Sequence, residues 1–131
     1  MPKTKVVFYK DDDGGSPVID WLREIKMTNP AAFANCAAVI EDLEEFGHEL
    51  RRPTSDTLRD GIKELRTKYQ HVQYRILYFF SGKDFAVLAH AIIKKGAAVP
   101  DAEIKQAVKR KQKFESDPRK HTWEENADAQ D

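Results

Sequence analysis

The stretch "VQYRILYFFSGKDFAVLAHAII", Val72–Ile93, constrains the fold more than any other part of the chain. Two runs rich in β-branched and aromatic residues flank "SGKD", a composition that closes β-hairpins. In the first run Tyr74, Ile76, Tyr78 and Phe80 alternate with Arg75, Leu77 and Phe79. The second run, "FAVLAHAII" (Phe85–Ile93), is a further strand. An isolated two-stranded hairpin is marginal in water, so this pair belongs to a larger sheet with an amphipathic layer over it.

The rest of the chain supplies those partners. Gly61–Thr67 reads as a strand joined to the hairpin by "KYQH", and "RRPTSDTLRDG" (Arg51–Gly61) reads as a loop. "KTKVVFY" (Lys3–Tyr9) is a short strand and "DDDGG" (Asp11–Gly15) a turn. Ser16 is placed to cap a helix with Pro17 at its first position. Val18, Trp21, Leu22 and Ile25 follow at helical spacing. Asn29-Pro30 restarts a helix by the same logic. Phe33, Ala37, Ile40 and Leu43 form its apolar stripe, and Gly47 ends it. Pro100 opens a last helix, with Ile104, Ala107 and Val108 inward and Lys105, Lys109 and Lys111 outward. Past Asp117-Pro118 the sequence turns polar and acidic and reads as a weakly ordered tail containing His121. The expected order is β-α-α-β-β-β-α, an α+β domain over residues 1–115 with an acidic tail over 116–131. The helical hairpin covers one face of an antiparallel sheet.

Length and composition narrow the function. At 131 residues the chain is one domain. No window approaches the roughly 18 consecutive apolar residues of a membrane span, so no membrane partner is expected. Cys36 is the single cysteine, which points to a reducing, cytoplasmic setting without disulfides. There is no phosphate-binding glycine loop and no cluster of metal ligands, so neither cofactor nor metal is expected. The net charge is zero, but it is unevenly spread. Residues 1–50 carry 5 basic and 10 acidic side chains, residues 51–113 carry 15 and 6, and residues 114–131 carry 2 and 6. A basic block between acidic flanks points to a polyanionic or acidic partner, against the plainer reading of a solvated charged face.

Much of that charge sits on the strands. Side chains alternate along a strand, so Glu64, Arg66 and Lys68 share one face. Arg75 lies in the next strand, and Lys94 and Lys95 close the last. Neighbouring strands run about 4.8 Å apart. Arg66, Lys68, Arg75 and one of the two lysines can therefore converge on the sheet face away from the helices, left open and cationic. Such a face suits a phosphodiester. Arginine offers a planar fork to phosphate oxygens, and a lysine crowded by like charges is pushed toward service as a base. RNA brings its own nucleophile in the 2′-OH. Tyr69, Tyr74 or His71 can stack on a base, and His71 or His90 can transfer protons. The same residues have blander readings. Arg75 can simply pair with Glu64 across the strands. Tyr74 and Tyr78 can be core, His90 a half-buried histidine, and Lys94-Lys95 a solvated strand end.

Four segments in fixed order carry a resemblance. "DGIKELR" (Asp60–Arg66), "YRILYFF" (Tyr74–Phe80), "LAHAIIKK" (Leu88–Lys95) and "VPDAEIKQAVKR" (Val99–Arg110) together resemble the RelE/HigB-like toxins of toxin–antitoxin modules, especially their phage-derived branch. The resemblance covers residues 3–115. It implies a ribosome-dependent mRNA endonuclease working in the A site by 2′-OH attack, which leaves a 2′,3′-cyclic phosphate and a 5′-OH. It also implies a neutralising antitoxin, a helix-turn-helix protein from an adjacent gene.

Carried onto this chain, the resemblance makes Arg66, Lys68, Arg75, Lys94 and Lys95 the catalytic set. Lys68 serves as base or charge stabiliser, Arg66 and Arg75 hold the scissile phosphate, and Lys94 or Lys95 supports the leaving oxygen. Tyr69, His71, His90 and Arg110 are the expected RNA contacts. The chain departs from the pattern in three places. Ile92 stands where an aromatic often precedes the lysine pair, and Val99 stands where a capping residue precedes the helix proline. No Tyr or His clearly fills the C-terminal catalytic position, for which His121 is poorly placed. Two alternatives share the fold: a ParE-like inhibitor of DNA gyrase, and a non-toxic, phage-derived binding protein. The acidic tail is charged to compete with RNA for the basic face.

Overall fold

The computed structural model describes residues 3–124. The chain opens with β1 (Lys5–Phe8), then forms two helices, α1 (Pro17–Thr28) and α2 (Pro30–Phe46). Both helices start as their sequences dictate. Ser16 Oγ accepts from the Ile19 amide, Asn29 Oδ1 accepts from the Ala32 amide, and each cap is followed by proline. Gly47 closes α2 with a positive φ of 51°, and its Cα faces the side chain of Thr4 too closely for any Cβ. Four strands follow: β2 (Ser55–Arg59), β3 (Ile62–Tyr69), β4 (Val72–Ser81) and β5 (Phe85–Lys94), and then α3 (Asp101–Ser116).

The segment expected as a loop is therefore partly a strand. β2 pairs antiparallel with β3 through a two-residue turn at Asp60-Gly61, both with positive φ (54° and 80°). That is the backbone that Asp-Gly supplies in a hairpin, and it matches the right-handed twist of the flanking strands. Buried Ser55 holds the other end of β2, 2.6 Å from the Tyr78 hydroxyl. The β3–β4 turn also tightens to Gln70-His71, so Lys68 and Tyr69 belong to β3 rather than to a connection.

The sheet order is β1-β5-β4-β3-β2. β1 lies parallel to β5, and the other pairs are antiparallel. From β1 the chain crosses one sheet face as α1 and α2, enters the far edge as β2, and meanders back. The helical hairpin covers Leu65, Tyr74, Ile76, Tyr78, Ala86 and Leu88. Its own buried stripe on α2 is Ala32, Cys36, Val39 and Leu43. This is a slight rotation from the expected one, leaving Phe33 and Ile40 at its margin. Small Ala32 and Cys36 let the helix axis approach the sheet, and the larger side chains fill the flanks.

The opposite face is not open along its whole length. Ile104, Ala107 and Phe114 of α3 pack on Ile62, Leu77, Phe79, Val87 and Ala89. Tyr9 completes this second core and is fully buried. A bulge in β5 shapes it further, since Leu77 pairs with His90 while Tyr78 pairs with Leu88. The extra residue brings Ala89 and His90 to the same α3 side, where strict alternation would have turned His90 toward the hairpin.

The beginning of the expected tail is ordered. Lys10 N–H donates to His121 O, Trp123 N–H donates to Phe8 O, and Thr122 bridges Tyr9. His121 is 3% exposed and stacks on Tyr9 with ring centroids 5.3 Å apart. The Phe8 carbonyl at the end of edge strand β1 and the Lys10 amide just past it are satisfied in this way. Residues 125–131 of that expected tail lie outside the described residues.

Candidate nucleic-acid-binding face

Register decides which basic side chains meet. Arg66 on β3 pairs with Arg75 on β4, which pairs with Ile92 on β5. One step along the same face, Lys68 pairs with Gln73, and Gln73 with Lys94. One step the other way, Glu64 pairs with Leu77. α3 packs over the Leu77 row, and the next two rows form a shallow concavity of about 350 Å³. Pro53, Arg66, Thr67, Lys68, Gln73 and Arg75 line it. The β strands thus present a basic depression beside α3, smaller than a wholly open face.

Its floor is a buried ion pair. Arg75 is 3% exposed and Glu64 5%. Arg75 Nε lies 3.1 Å from Glu64 Oε1, outside hydrogen-bonding alignment, and among the described residues neither atom has a hydrogen-bond partner. Arg75 Nη1 donates to Tyr74 O at 3.0 Å and to Thr67 O at 3.4 Å, and Nη2 donates to Gln73 Oε1 at 3.3 Å. Burial lowers the Arg75 pKa, Glu64 opposes that, and nearby Arg66 adds to it. A guanidinium stays charged in proteins all the same, so the pair is ionic. The expectation that Arg75 grips a phosphate directly does not fit this burial, because its charge is already matched by Glu64.

Above the floor the network continues outward. Arg66 Nη1 is 3.5 Å from Glu64 Oε2 and 3.8 Å from Asp56 Oδ2. Arg52 donates to Asp56 Oδ2 through Nε at 3.0 Å and Nη2 at 2.7 Å. Those bonds, ahead of the Thr57 amide, hold the Asp56 carboxyl below its ordinary pKa. Three arginines thus alternate with two carboxylates, and exposed Lys68 adds a further positive charge at the rim. Arg52 and Asp56 were invisible to a reading that treated their segment as loop. The signal for them was Asp60-Gly61, which makes β2 a strand and sets Asp56 beside Glu64.

The remaining expected site residues scatter. Lys94 reaches the same face, but its ammonium donates to Gly96 O and Ala97 O at 3.0 and 3.1 Å. Lys95 follows the strand end and is exposed, as is His71 in the β3–β4 turn. Tyr69 turns the other way and packs against the helical-hairpin core, because it sits one residue past Lys68. His90 is engaged on both nitrogens: Nε2 is 2.6 Å from Glu103 Oε1, and Arg110 Nη1 is 2.8 Å from Nδ1. Arg110 can only donate, so Nδ1 accepts and Nε2 carries the proton to Glu103. Arg110 also donates to Ala89 O at 2.9 Å and lies over the Tyr9 ring. His90 and Arg110 therefore tie α3 to the sheet, away from the concavity, and Tyr69 is core. Of the departures from the resemblance, Ile92 sits half-buried across from Arg75, and Val99 packs at the edge of the α3 core. The helix start after Val99-Pro100 has no side-chain cap.

His121, buried against Tyr9, is at β1, with β5 and β4 between that strand and Arg66 on β3. Residues 121–124 consequently lie across the sheet from the basic depression. Among the described residues there is no group of three or more His, Cys, Asp or Glu arranged to hold a metal, and no helix long and apolar enough to cross a membrane.

A family model described as Phage derived protein Gp49-like matches residues 21–112, from α1 to near the end of α3. The chain belongs to this family. The Gp49-like proteins are phage-derived and of the RelE/HigB toxin type, in keeping with the strand and helix order. The matched span contains α2 and β2 to β5 whole and most of α1 and α3, and with them the whole basic depression. No curated protein matches the chain.

Proposed function

We propose that this Gp49-like protein is the toxin of a toxin–antitoxin pair and acts as a metal-independent endoribonuclease on mRNA in the ribosomal A site. The observation that carries the reading is one concave sheet face holding accessible Arg66 and Lys68 above a buried Glu64–Arg75 pair. In this reading Arg66 binds the scissile phosphate with its planar fork, and the Glu64–Arg75 floor holds Arg66 in place. The RNA 2′-OH attacks the adjacent phosphorus and gives its proton to a base, for which Lys68 is nearest. The bond from phosphorus to the 5′-oxygen breaks and that oxygen takes a proton from water. The products are a 2′,3′-cyclic phosphate and a 5′-OH. Arg66 and Lys68 stabilise the charge that builds on the pentacoordinate phosphorus. A helix-turn-helix antitoxin encoded nearby neutralises the protein.

A second reading keeps the RNA site and drops the cleavage. It is favoured by the engagement of His90 and His121 in packing, which removes both from proton transfer at the depression. Primer extension on cellular mRNA after brief induction separates the two, with the Arg66→Ala/Lys68→Ala variant alongside. New in-frame ends with the wild type, absent with the folded variant, establish the nuclease and its phosphate site. Growth arrest with intact mRNA refutes it and points to a gyrase-directed toxin. Neither arrest nor cleavage leaves an RNA-binding protein on a toxin fold.

A further inference from the structure

We infer that Arg52 is a second phosphate-binding point beside Arg66, and that Asp56 occupies it in the free protein as an internal counter-ion that single-stranded RNA displaces. The inference rests on reading the depression as an RNA site, and it adds a specific residue pair and a form of self-competition to it.

Three observations carry it. The first is convergence. A single oxygen, Asp56 Oδ2, receives Arg52 Nε and Nη2 at 3.0 and 2.7 Å and has Arg66 Nη1 at 3.8 Å. Arg52 donates twice to this oxygen and Arg66 stands just beyond hydrogen-bonding distance of it, so an anion seated there lies beside both guanidiniums. The second is placement. Pro53, the neighbour of Arg52, lines the concavity with Arg66 and Lys68. The Arg66 amide donates to Thr54 O at 2.7 Å, and the Thr54 and Ser55 amides donate to Arg51 O at 3.1 and 3.0 Å. The turn that carries Arg52 is thereby fixed to β3 by its backbone, and the side chain needs no loop movement to reach a bound strand.

The third is the cost of exchange. The Arg52 side chain is 69% exposed, so its link to Asp56 can open without disturbing the core. Glu64 is different: it is buried with Arg75 and cannot leave. The outer carboxylate is thus exchangeable and the inner one is structural. A phosphate that replaces Asp56 gains two arginines and frees a carboxylate that remains held by the Thr57 amide at 2.9 Å. Asp56 in this way sets a threshold: isolated anions compete poorly with it, whereas a strand that also meets Arg66 and Lys68 displaces it.

The test is a titration of the full-length protein against a short fluorescein-labelled oligouridylate at several salt concentrations. Asp56→Asn should tighten binding roughly two- to fivefold, the factor equivalent to one exposed ion pair. Asp84→Asn, an equal charge change in the exposed β4–β5 turn, should not. Arg52→Ala should weaken binding and reduce the slope of log K against log salt by about 0.7. In the Arg52→Ala background the gain from Asp56→Asn should fall by more than half. Unchanged or weaker binding by Asp56→Asn, or a gain matched by Asp84→Asn, overturns the inference. Arg66→Ala/Lys68→Ala keeps that outcome distinct from failure of the RNA site. If this variant loses binding while Asp56→Asn is neutral, the site stands and the counter-ion role falls. If the wild type itself does not bind at low salt, both fall. Arg52→Ala, Asp56→Asn and Asp84→Asn should each leave the far-ultraviolet circular dichroism unchanged.

Discussion

Replacing Glu64 by Gln removes the one countercharge that, among the described residues, contacts a guanidinium that is 3% exposed. At 3.1 Å and an effective dielectric of about 20, the lost attraction is about 5 kcal/mol. The glutamine amide recovers part of it, and the hydrogen bonds of Arg75 to Tyr74 O and Gln73 Oε1 persist. Breaking one side of a buried pair costs about 3–5 kcal/mol, because the remaining charge stays desolvated. Arg75→Ala should also destabilise, through Glu64, with Arg66 Nη1 at 3.5 Å from Glu64 Oε2 offsetting part of the loss. The double variant Glu64→Leu/Arg75→Met buries no charge and should cost far less than either single change, since apolar replacement of a buried pair is often near neutral. Urea unfolding followed by circular dichroism reads all four proteins. The reasoning is refuted if Glu64→Gln costs less than about 1 kcal/mol, or if the double variant costs as much as the two singles together. The result bears on function directly. Loss of activity in Arg75→Ala would report a damaged floor, so the phosphate site is better probed at Arg66 and Lys68.

Two further outcomes follow from buried groups. His90 is kept neutral: burial lowers its pKa, Arg110 adds to that, and Glu103 opposes it. The folded value therefore lies below the unfolded value of about 6.5. The stability from neutral His90 is present above the unfolded value and is lost as pH falls through the folded one. The melting temperature should drop more steeply below about pH 6.5 in the wild type than in His90→Gln, and parallel curves would refute the lock between α3 and the sheet. Cys36 is fully buried, and desolvation pushes its thiol up to about 11. It should resist a thiol-reactive chromophore at neutral pH until denaturant unfolds the protein. Rapid labelling of the native protein would place α2 away from the sheet.

The sequence was most legible where the information is local. Ser16-Pro17, Asn29-Pro30 and Gly47 bound their helices because a cap is made within a few residues. β4 and β5 announced themselves by composition and the turn between them. Alternation also placed Arg66, Lys68 and Arg75 on one face, as the register confirms. Illegible were the features set by distant partners. β2 is a polar edge strand whose pairing is driven by the Asp60-Gly61 turn and by Ser55 meeting Tyr78. Tyr69 and His90 fall on their faces by the end of β3 and by a bulge, respectively. His121 gains its burial from Tyr9, more than a hundred residues earlier.

The amino-acid sequence by itself determined the element types other than β2, the α+β class and the presence of a basic strand face, because these follow from backbone propensity and a two-residue period. Only the tertiary structure decided which of those charges meet solvent. α3 covers the face around Leu77 and Phe79, and Glu64 lies across the strands from Arg75. That assigns Arg75 to the interior and leaves Arg66, Lys68 and Arg52 at the surface. Desolvation depends on what packs above a side chain, and no local pattern in the chain encodes it.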